Sequence, residues 1–311
     1  MRAQIAVVGS LNTDLVVRAP HIPRPGETVI GGDFLTMPGG KGANQAVAAA
    51  RLGASVAMVG RVGTDGFGQQ LLANLAAAGV DHRLVVEDAD AATGVALIVV
   101  EDSGQNSIVV ASGANMRLSP NDVAAAESAI ASAQVVLLQL ESPLETVRRA
   151  AEIARAHNVT VILNPAPAQP LPADLLTLID ILTPNESETA LLTGDQIQTP
   201  SEIEAAAYKL RRMGARMAIL TLGERGALLA EADGTEIFSA FDVTPVDTTA
   251  AGDAFMGGLA VALGEGQPLP EAIRWGNAAG ALATTRMGAQ PSLPSREELE
   301  HLLRHGKTRE S

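Results

Sequence analysis

Three very small residues followed by an aspartate, Ala250-Ala251-Gly252-Asp253, form the stretch of the sequence best suited to chemistry. Apolar residues recur at four-residue spacing from Phe255 onward, which predicts that a helix begins here. The first N–H groups of a helix have no intrahelical acceptor, so an anion can approach them where side chains are almost absent. We therefore predict an anion site with Asp253 as its proton acceptor. The alternative, that an acidic first-turn residue only complements the helix dipole, stays open.

Polar side chains follow most of the apolar, strand-like runs of the chain. The preference of Asn and Asp for turns explains any one of them alone. In an open parallel sheet, however, the ligand crevice lies outside the carboxyl ends of the strands, so the set is predicted to face one crevice. The set comprises Asn12, Asp14, Glu141, Asn164, Asn185, Thr221 and Asp253.

The oxygen-rich group Glu141, Asn164, Asn185 and Glu188 suits Mg²⁺, which prefers carboxylates, water and substrate phosphates. A magnesium-bound nucleotide, a helix N-terminus and an aspartate together predict phosphoryl transfer to a hydroxyl group. An aspartate with an ordinary pKa of about 3.9 is a weak base toward an alcohol. We therefore expect late proton transfer, with most of the rate enhancement coming from positioning and charge stabilisation.

Four further polar residues, Asn12, Asp14, Lys41 and Asn44, are candidates to hold a small polyol, because one carboxylate can accept hydrogen bonds from two neighbouring hydroxyls. A nucleoside acceptor usually needs an aromatic wall, and the chain has only five Phe, one Tyr and one Trp. A sugar-phosphate acceptor needs additional cations, and Lys41 is the only obvious one near the sugar. A small neutral sugar is therefore the favoured acceptor.

Composition excludes several other classes of function. The net charge of −13 argues against nucleic acid and anionic membranes as partners. The absence of cysteine excludes thiolate metal sites and cysteine nucleophiles and is typical of the cytoplasm. No apolar run approaches about 20 residues, so we expect no membrane span. There is no P-loop, dinucleotide fingerprint or Gly-x-Ser-x-Gly elbow, which argues against P-loop kinases, dinucleotide oxidoreductases and serine hydrolases.

Strand-like runs alternate with capped helices over most of the 311 residues. Ser119-Pro120, Ser142 to Glu145 and Ser201 to Glu204 are predicted helix starts. This rhythm predicts an α/β fold with a central, mostly parallel sheet and helices on both faces. Residues 15–34 are predicted as short strands broken by Pro and Gly, and residues 95–100 and 107–110 as a hairpin. These segments, 13–38 and 93–111, predict a small β-sheet apart from a main domain of residues 1–12, 39–92 and 112–311.

Six segments in order resemble the phosphofructokinase-B-type (ribokinase-like) carbohydrate kinases over nearly the whole chain. The two most specific are Gly39-Gly40-Lys41-Gly42-Ala43-Asn44-Gln45-Ala46 and Asp247 to Phe255. The resemblance implies the ribokinase-like fold and ATP-dependent phosphorylation of D-ribose at the 5-hydroxyl. The other four segments lie between these two motifs and are Leu140 to Pro143, Asn164 to Pro167, Thr183 to Glu186 and Thr221 to Gly226.

The resemblance also implies a role for each candidate residue. Asp253 is the base, and the backbone of Ala250, Ala251 and Gly252 forms the anion hole. The implied sugar contacts are Asn12, Asp14, Gly40, Lys41, Asn44, Glu141 and Asp253. The implied ATP contacts are Asn185, Thr221, Gly223, Glu224, Arg225, Gly226, Gly252 and Asn277. Glu188 is implied for Mg²⁺, and the implied K⁺ loop comprises Asp247, Thr249, Ala283, Arg286, Gly288 and Ser292.

The resemblance further implies that the small sheet of residues 13–38 and 93–111 is a lid. In relatives the lid also pairs two subunits, so a homodimer is expected here. Two alternatives to a ribose kinase remain open. The same chemistry on 2-deoxyribose, fructose or another small sugar would use the same base. A non-catalytic sugar or nucleotide sensor would have no need of the intact Gly252-Asp253 pair.

Overall fold

The computed structural model describes residues 2–309 and contains two sheets. The larger has nine strands in the order β13-β12-β11-β10-β9-β8-β1-β4-β5, and the smaller has four in the order β3-β2-β6-β7. The strands are β1 Gln4–Val8, β2 Asn12–Ala19, β3 Phe34–Gly39, β4 Ser55–Gly63, β5 Asp81–Asp88, β6 Gly94–Glu101, β7 Asn106–Ala111, β8 Val135–Leu138, β9 Thr160–Leu163, β10 Ile181–Leu182, β11 Met217–Thr221, β12 Ala227–Ala230 and β13 Thr235–Phe238.

The described residues contain eleven α-helices, eight of them between strands and three after β13. They are α1 Lys41–Arg51, α2 Gly66–Ala77, α3 Pro120–Ala125, α4 Glu127–Ser132, α5 Leu144–Ala156, α6 Ala173–Leu176, α7 Glu186–Thr193, α8 Pro200–Arg212, α9 Ala251–Gly264, α10 Leu269–Ala283 and α11 Arg296–His305. No helix in residues 2–309 is long and apolar enough to cross a membrane.

Helices cover both faces of the large sheet, as the sequence predicts. From β5 to β11 all neighbouring strands are parallel, whereas β12 pairs antiparallel with both β11 and β13. Alternate residues of β1 enter opposite cores: Ile5 and Val7 pack with α1, α9 and α10, whereas Ala6 and Val8 pack with α3, α5 and α8. Because aromatic residues are scarce, both cores consist mainly of Ala, Val, Leu and Ile.

The small sheet is built from chain segments on either side of β4 and β5. Strand β2 pairs antiparallel with β3 and parallel with β6, and β6 forms the predicted hairpin with β7. Residues 20–33 contain no strand, so the prediction of several short strands between residues 15 and 34 is wrong for that segment. Pro20, Pro23 and Pro25 lack the N–H donors that a strand ladder requires.

Two predicted helix caps are also wrong. Helix α5 has Pro143 at its N-cap position and no side-chain cap, so Ser142 stands one residue too early. Helix α8 begins after Thr199, which forms a capping box with Glu202 and is followed by Pro200 in the first turn. The helix begins at Thr199-Pro200 because proline's fixed φ suits the first helical position, whereas Ser201 lies inside the helix. The cap at Ser119 is confirmed.

Candidate active site

Helix α9 begins at the small-residue stretch, as the sequence predicts, and its first turn is open. Ala250 is its N-cap and holds a left-handed φ of 60°, which is uncommon for a residue with a side chain. Ala251 N–H donates to the carbonyl of Thr248 at 3.2 Å. Among the described residues, no acceptor is found for the N–H groups of Gly252 and Asp253, and a Cβ at Gly252 would meet no atom within 4 Å. A ligand can therefore approach this turn directly.

Asp253 is buried in the same turn and accepts two amide hydrogen bonds. Asn44 Nδ2 donates to Oδ2 at 2.9 Å, and Gln45 Nε2 donates to Oδ1 at 3.0 Å. Burial raises the pKa of Asp253, while Lys41 and the two amides act in the opposite direction. The expectation of an ordinary pKa near 3.9 is therefore wrong. The carboxylate is a stronger proton acceptor than an exposed aspartate because its charged form is poorly solvated.

The predicted sugar contacts converge beside Asp253. Gly40 has a φ of +88°, and a Cβ there would lie 2.5 Å from the backbone nitrogen of Asn12, so only glycine fits. Glu141 Oε2 accepts a hydrogen bond from the backbone N–H of Lys41 at 3.1 Å. Burial, followed by the charges of Glu141 and Asp253, raises the pKa of Asp14 to about 7.

A cavity of about 230 Å³ connects the helix start with the predicted metal residues. Its lining includes Lys41, Asn164, Asn185 and Glu188, together with Ala250 to Asp253. Burial raises the pKa of Glu188, although Asn185 N–H donates to its carboxylate at 2.8 Å. Glu141 is not among the lining residues, since it is engaged on the sugar side by Lys41 and Ser10.

A larger cavity of about 710 Å³ opens on the other side of the helix start, over β11 to β13 and α10. Its lining includes seven of the predicted nucleotide residues: Asn185, Thr221, Gly223, Glu224, Gly226, Gly252 and Asn277. Arg225 is not among them, and its guanidinium pairs with Glu186. Asn277 Nδ2 donates to the carbonyls of Phe238 at 2.9 Å and Ser239 at 3.3 Å, so these donors already hold the cavity wall together.

The predicted cation loop packs against the C-terminal end of α10. Asp247 Oδ1 accepts from Thr249 N–H at 2.9 Å, and Oδ2 accepts from Gly288 N–H at 2.8 Å. The carbonyl of Thr284, next to Ala283 at the helix end, accepts from Asp247 N–H at 3.1 Å. Ser292 Oγ donates to Ala289 O, and the Arg286 side chain pairs with Glu298. The two halves of the predicted loop are therefore brought together by Asp247.

Three contacts at the site have no counterpart in the sequence analysis. Gln45 contacts Asp253, but only the fold distinguishes it from a surface amide. Asn115 is buried and donates to Asn12 Oδ1 at 2.7 Å. Arg309 lies at the rim of the larger cavity and pairs with Glu224 at 2.7 Å. No motif contains Asn115 or Arg309, and the motif that contains Gln45 does not indicate its partner, because each contact joins segments more than 80 residues apart.

Comparison with known proteins agrees with this geometry. A family model described as pfkB family carbohydrate kinase matches residues 2–296. The chain belongs to the pfkB family of carbohydrate kinases. The ribokinase of Haemophilus influenzae is 44% identical over 305 residues, covering 98% of this chain and 100% of the relative. The deoxyribokinase of Salmonella typhimurium is 39% identical over 300 residues, covering 96% of this chain and 98% of the relative.

Among solved structures, the pfkB-family chain resembles the Arabidopsis thaliana ribokinase complexed with ribose and ATP. That structure has a TM-score of 0.90 and 35% sequence identity, and the match covers 98% of this chain and 100% of the other. The predicted family and the predicted ribokinase-like α/β fold are thereby confirmed. The small sheet and the open start of α9 therefore belong to a carbohydrate kinase.

Proposed function

We propose that this chain transfers the terminal phosphoryl group of ATP to the 5-hydroxyl of D-ribose, giving D-ribose 5-phosphate and ADP. The ribokinase of Haemophilus influenzae, similar over its whole length, supports the acceptor. The observation that carries the proposal is the position of Asp253. Its carboxylate contacts the sugar-side residue Asn44 and also lines the cavity into which the open turn of α9 points.

The reaction follows from this arrangement. The ribose 5-oxygen attacks the terminal phosphorus while Asp253 accepts the hydroxyl proton, and the bond between phosphorus and the bridging oxygen breaks to release ADP. The N–H groups of Gly252 and Asp253 stabilise the charge that develops on the phosphoryl oxygens. Asp14, Asn12 and Asn44 hold the sugar so that its hydroxyl faces the base. The raised pKa of Asp253 assists proton acceptance, but positioning remains the main contribution.

The residues present fit a magnesium ion bound with the nucleotide. Among residues 2–309, no cluster of three or more His, Cys, Asp and Glu side chains could hold a metal ion alone. The ion would therefore share Glu188, directly or through water, with the phosphates of the substrate, as Mg²⁺ usually does. Bound there, it would neutralise phosphate charge. Lys41 lines the same cavity and supplies a fixed positive charge of the chain itself.

The Asp247 loop fits a monovalent cation such as K⁺. Hydrogen bonds from Thr249 and Gly288 lower the pKa of Asp247 in spite of its burial, so its carboxylate is ionised. The ion would bind Asp247 and the backbone oxygens near Ala283, Arg286, Gly288 and Ser292, and it would stabilise the segment that leads into α9. Replacing Na⁺ by K⁺ should raise the rate of ADP formation. Equal rates in the two salts would contradict this part of the proposal.

The small sheet is proposed as a lid over the sugar and as the contact with a second copy of this chain. Asp14 on β2 and Gly39 at the end of β3 place this sheet directly beside the sugar-side residues. Closure would exclude water and so limit hydrolysis of ATP. A cytoplasmic location stays a prediction from the lack of cysteine.

The deciding experiment is ADP release measured with a panel of acceptors, with and without K⁺. We expect the highest kcat/KM with D-ribose, because a buried group that loses its hydroxyl partner discriminates against the analogue. The Salmonella deoxyribokinase makes 2-deoxyribose the second candidate acceptor. If kcat/KM were higher with 2-deoxyribose or fructose, that sugar would be the substrate in place of ribose. If no sugar were turned over, the chain would be a sensor.

A further inference from the structure

A chain of two buried side-chain amides leads to Asp253. Gln45 on α1 and Gln139 after β8 are both completely buried, and neither is among the residues that line the cavities. Gln139 Nε2 donates to Gln45 Oε1 at 2.6 Å, and Gln45 Nε2 donates to Asp253 Oδ1 at 3.0 Å. Neither amide touches the space available to sugar or nucleotide, so substrate binding alone does not account for them.

The direction of this chain is fixed by Asp253. An ionised carboxylate can only accept, so Gln45 must present its NH₂ group to Asp253 and its carbonyl to Gln139. Gln139 must then donate, which leaves Gln139 Oε1 without a partner among the described residues. This oxygen lies where a Cβ at position 9 would come within 1.9 Å, so Gly9 is the residue that leaves room for it.

The amide chain is anchored at the ends of two strands. Gln139 directly follows β8. The second hydrogen of Gln45 Nε2 points to Asn164 Oδ1 at 3.4 Å, and Asn164 Nδ2 donates to Thr183 O at 2.9 Å. Asn164 directly follows β9, so the sheet itself holds the Gln45 amide in place. The Gln139 carbonyl therefore stays unpaired, while the Gln45 amide is fixed as a donor to Asp253.

We propose that Gln45, held by Gln139, is a positioning residue that orients the Asp253 carboxylate for proton acceptance from the substrate hydroxyl. Asn44, the other donor to Asp253, is proposed to contact the sugar and is free to exchange its hydrogen bond when the sugar binds. Gln45 is completely buried and cannot contact the sugar, so it holds Oδ1 while Oδ2 faces the hydroxyl. This inference rests on the proposed function, because it requires Asp253 to be the base.

The charges around Asp253 determine how the loss of Gln45 is detected. Lys41 on α1 lowers the pKa of Asp253 and Glu141 raises it. Asp14 on β2 and Glu188 on α7 are also coupled to Asp253 by charge. The Gln45 hydrogen bond lowers the pKa of Asp253 against the effect of burial. Its removal therefore raises that pKa further, and more alkaline conditions are needed to ionise the base.

The test is the pH profile of kcat for Gln45→Met and Gln139→Met with the best acceptor sugar. We expect Gln45→Met to lose about 10- to 100-fold in kcat at pH 7, the equivalent of one hydrogen bond to a charged group. The acidic limb of the kcat profile of this variant should move to higher pH, so that kcat recovers toward pH 9. The KM for ATP should not change. Gln139→Met should shift the limb in the same direction by less, because Gln45 keeps its contact with Asp253 but loses its anchor.

Thr146→Val is the matched control, since it removes a buried hydrogen bond, from Thr146 Oγ1 to Leu118 O at 2.8 Å, between two residues that line neither cavity. It should lower the melting temperature without moving the pH profile. A pH-independent loss in both glutamine variants would reduce Gln45 to a structural role and overturn the inference. If Gln45→Met does not fold, the position of the acidic limb in the kcat profile of Gln139→Met tests the inference instead. Failure of the proposed function is distinct, because the unmodified chain would then show no turnover with sugars.

Discussion

Four carboxyl groups and one ammonium group meet around the proposed reaction centre. Asp14, Glu141, Glu188 and Asp253 arrive from four different segments, and Lys41 is their cation. Lys41 has its pKa raised by Asp253, Glu141 and Glu188, although burial opposes this, so it stays charged. Burial, followed by the charges of Glu141 and Asp253, explains why Asp14, with a pKa of about 7, holds a proton more readily than an ordinary aspartate.

Asp253→Asn tests the proton acceptor directly. The amide has nearly the same shape, so ATP and ribose should still bind, but it cannot accept the hydroxyl proton. We expect kcat to fall by about 10²- to 10⁴-fold, the usual contribution of a general base. Binding by calorimetry and turnover by ADP release separate the two effects. A variant that keeps comparable turnover would show that another group acts as base.

Asp14→Asn should stabilise the free protein, and the gain should depend on pH. The pKa of Asp14 is about 7 in the folded chain, whereas a free aspartate has a pKa of 3.8. A carboxyl with a raised folded pKa contributes stability below about pH 4 and loses it as the pH rises through 7. The variant should therefore gain more in melting temperature at pH 8 than at pH 4.5, and the difference in stability should be at most about 4 kcal/mol.

The same variant should bind ribose poorly, since it loses a charged acceptor. Equal gains in melting temperature at both pH values would show that Asp14 has an ordinary pKa. Melting curves without ligand provide the comparison.

For single residues, the sequence predicts which ones belong to the site better than it predicts their contacts and pKa values. Asp253 can be recognised because it follows three tiny residues, and Asn44 because it lies in a recognisable motif. The raised pKa values of Asp14 and Asp253 cannot be predicted, because they depend on burial and on carboxylates that lie more than 100 residues away along the chain. The role of Gln45 is hidden for the same reason.

The first turn of α9 is the element on which the proposed chemistry depends. Ala250 holds a left-handed conformation that directs the chain into the helix, so a β-branched residue there would be strained. The helix itself packs against α1 and α10 through buried small residues such as Gly257 and Gly258, which lets the three helices approach closely. This rigid packing keeps the open N–H groups in place without any ligand.

Gly252→Ala should separate stability from function in this element. Alanine is a better helix former than glycine by about 1 kcal/mol, and a Cβ at position 252 would meet no protein atom within 4 Å. The variant should therefore fold with an equal or higher melting temperature. The same Cβ projects into the space proposed for the phosphoryl group, so kcat/KM for ATP should fall by at least about 10-fold.

Ala262→Gly provides the matched control, because it makes the reverse change at a buried position of the same helix, away from its open turn. It should lower the melting temperature and leave kcat/KM for ATP nearly unchanged. If Gly252→Ala retained full kcat/KM, the phosphoryl group would have to bind elsewhere.

Helices and strands of the large sheet can be predicted from periodicity and caps, but their boundaries cannot. Thr199 and Ser201 both stand near an acidic residue at capping-box spacing, and only Pro200 decides between them. Residues 20–33 carry strand-like composition in places, yet three prolines prevent pairing. The pairing of β2 with β6, across about 80 residues, requires the three-dimensional fold.

At the scale of the whole molecule, the small sheet exposes large apolar side chains on both faces. The register places Leu15, Leu97 and Val109 side by side on one face, while Asp14, Ala96 and Val110 share the face toward the sugar. Leu97 is 49% exposed and Val109 62% exposed. Closure over the sugar can cover only one of these faces. The other face leaves Leu97 and Val109 exposed, and we propose that a second copy of this chain covers it.

Val109→Lys should convert the proposed dimer into a monomer. The side chain lies in water in the single chain, so a lysine there costs the monomer little, whereas an unpaired charge inside an apolar interface is strongly unfavourable. Sedimentation of the purified protein should show a dimer for the unmodified chain and a monomer of 31.9 kDa for the variant.

Ile237→Lys is the matched control, since Ile237 is 50% exposed on β13, outside the small sheet, and the lysine charge should leave the dimer intact. If the unmodified chain sediments as a monomer, or if both variants dissociate equally, the small sheet is not the interface. The apolar face that carries Leu97 and Val109 would then stay exposed to water.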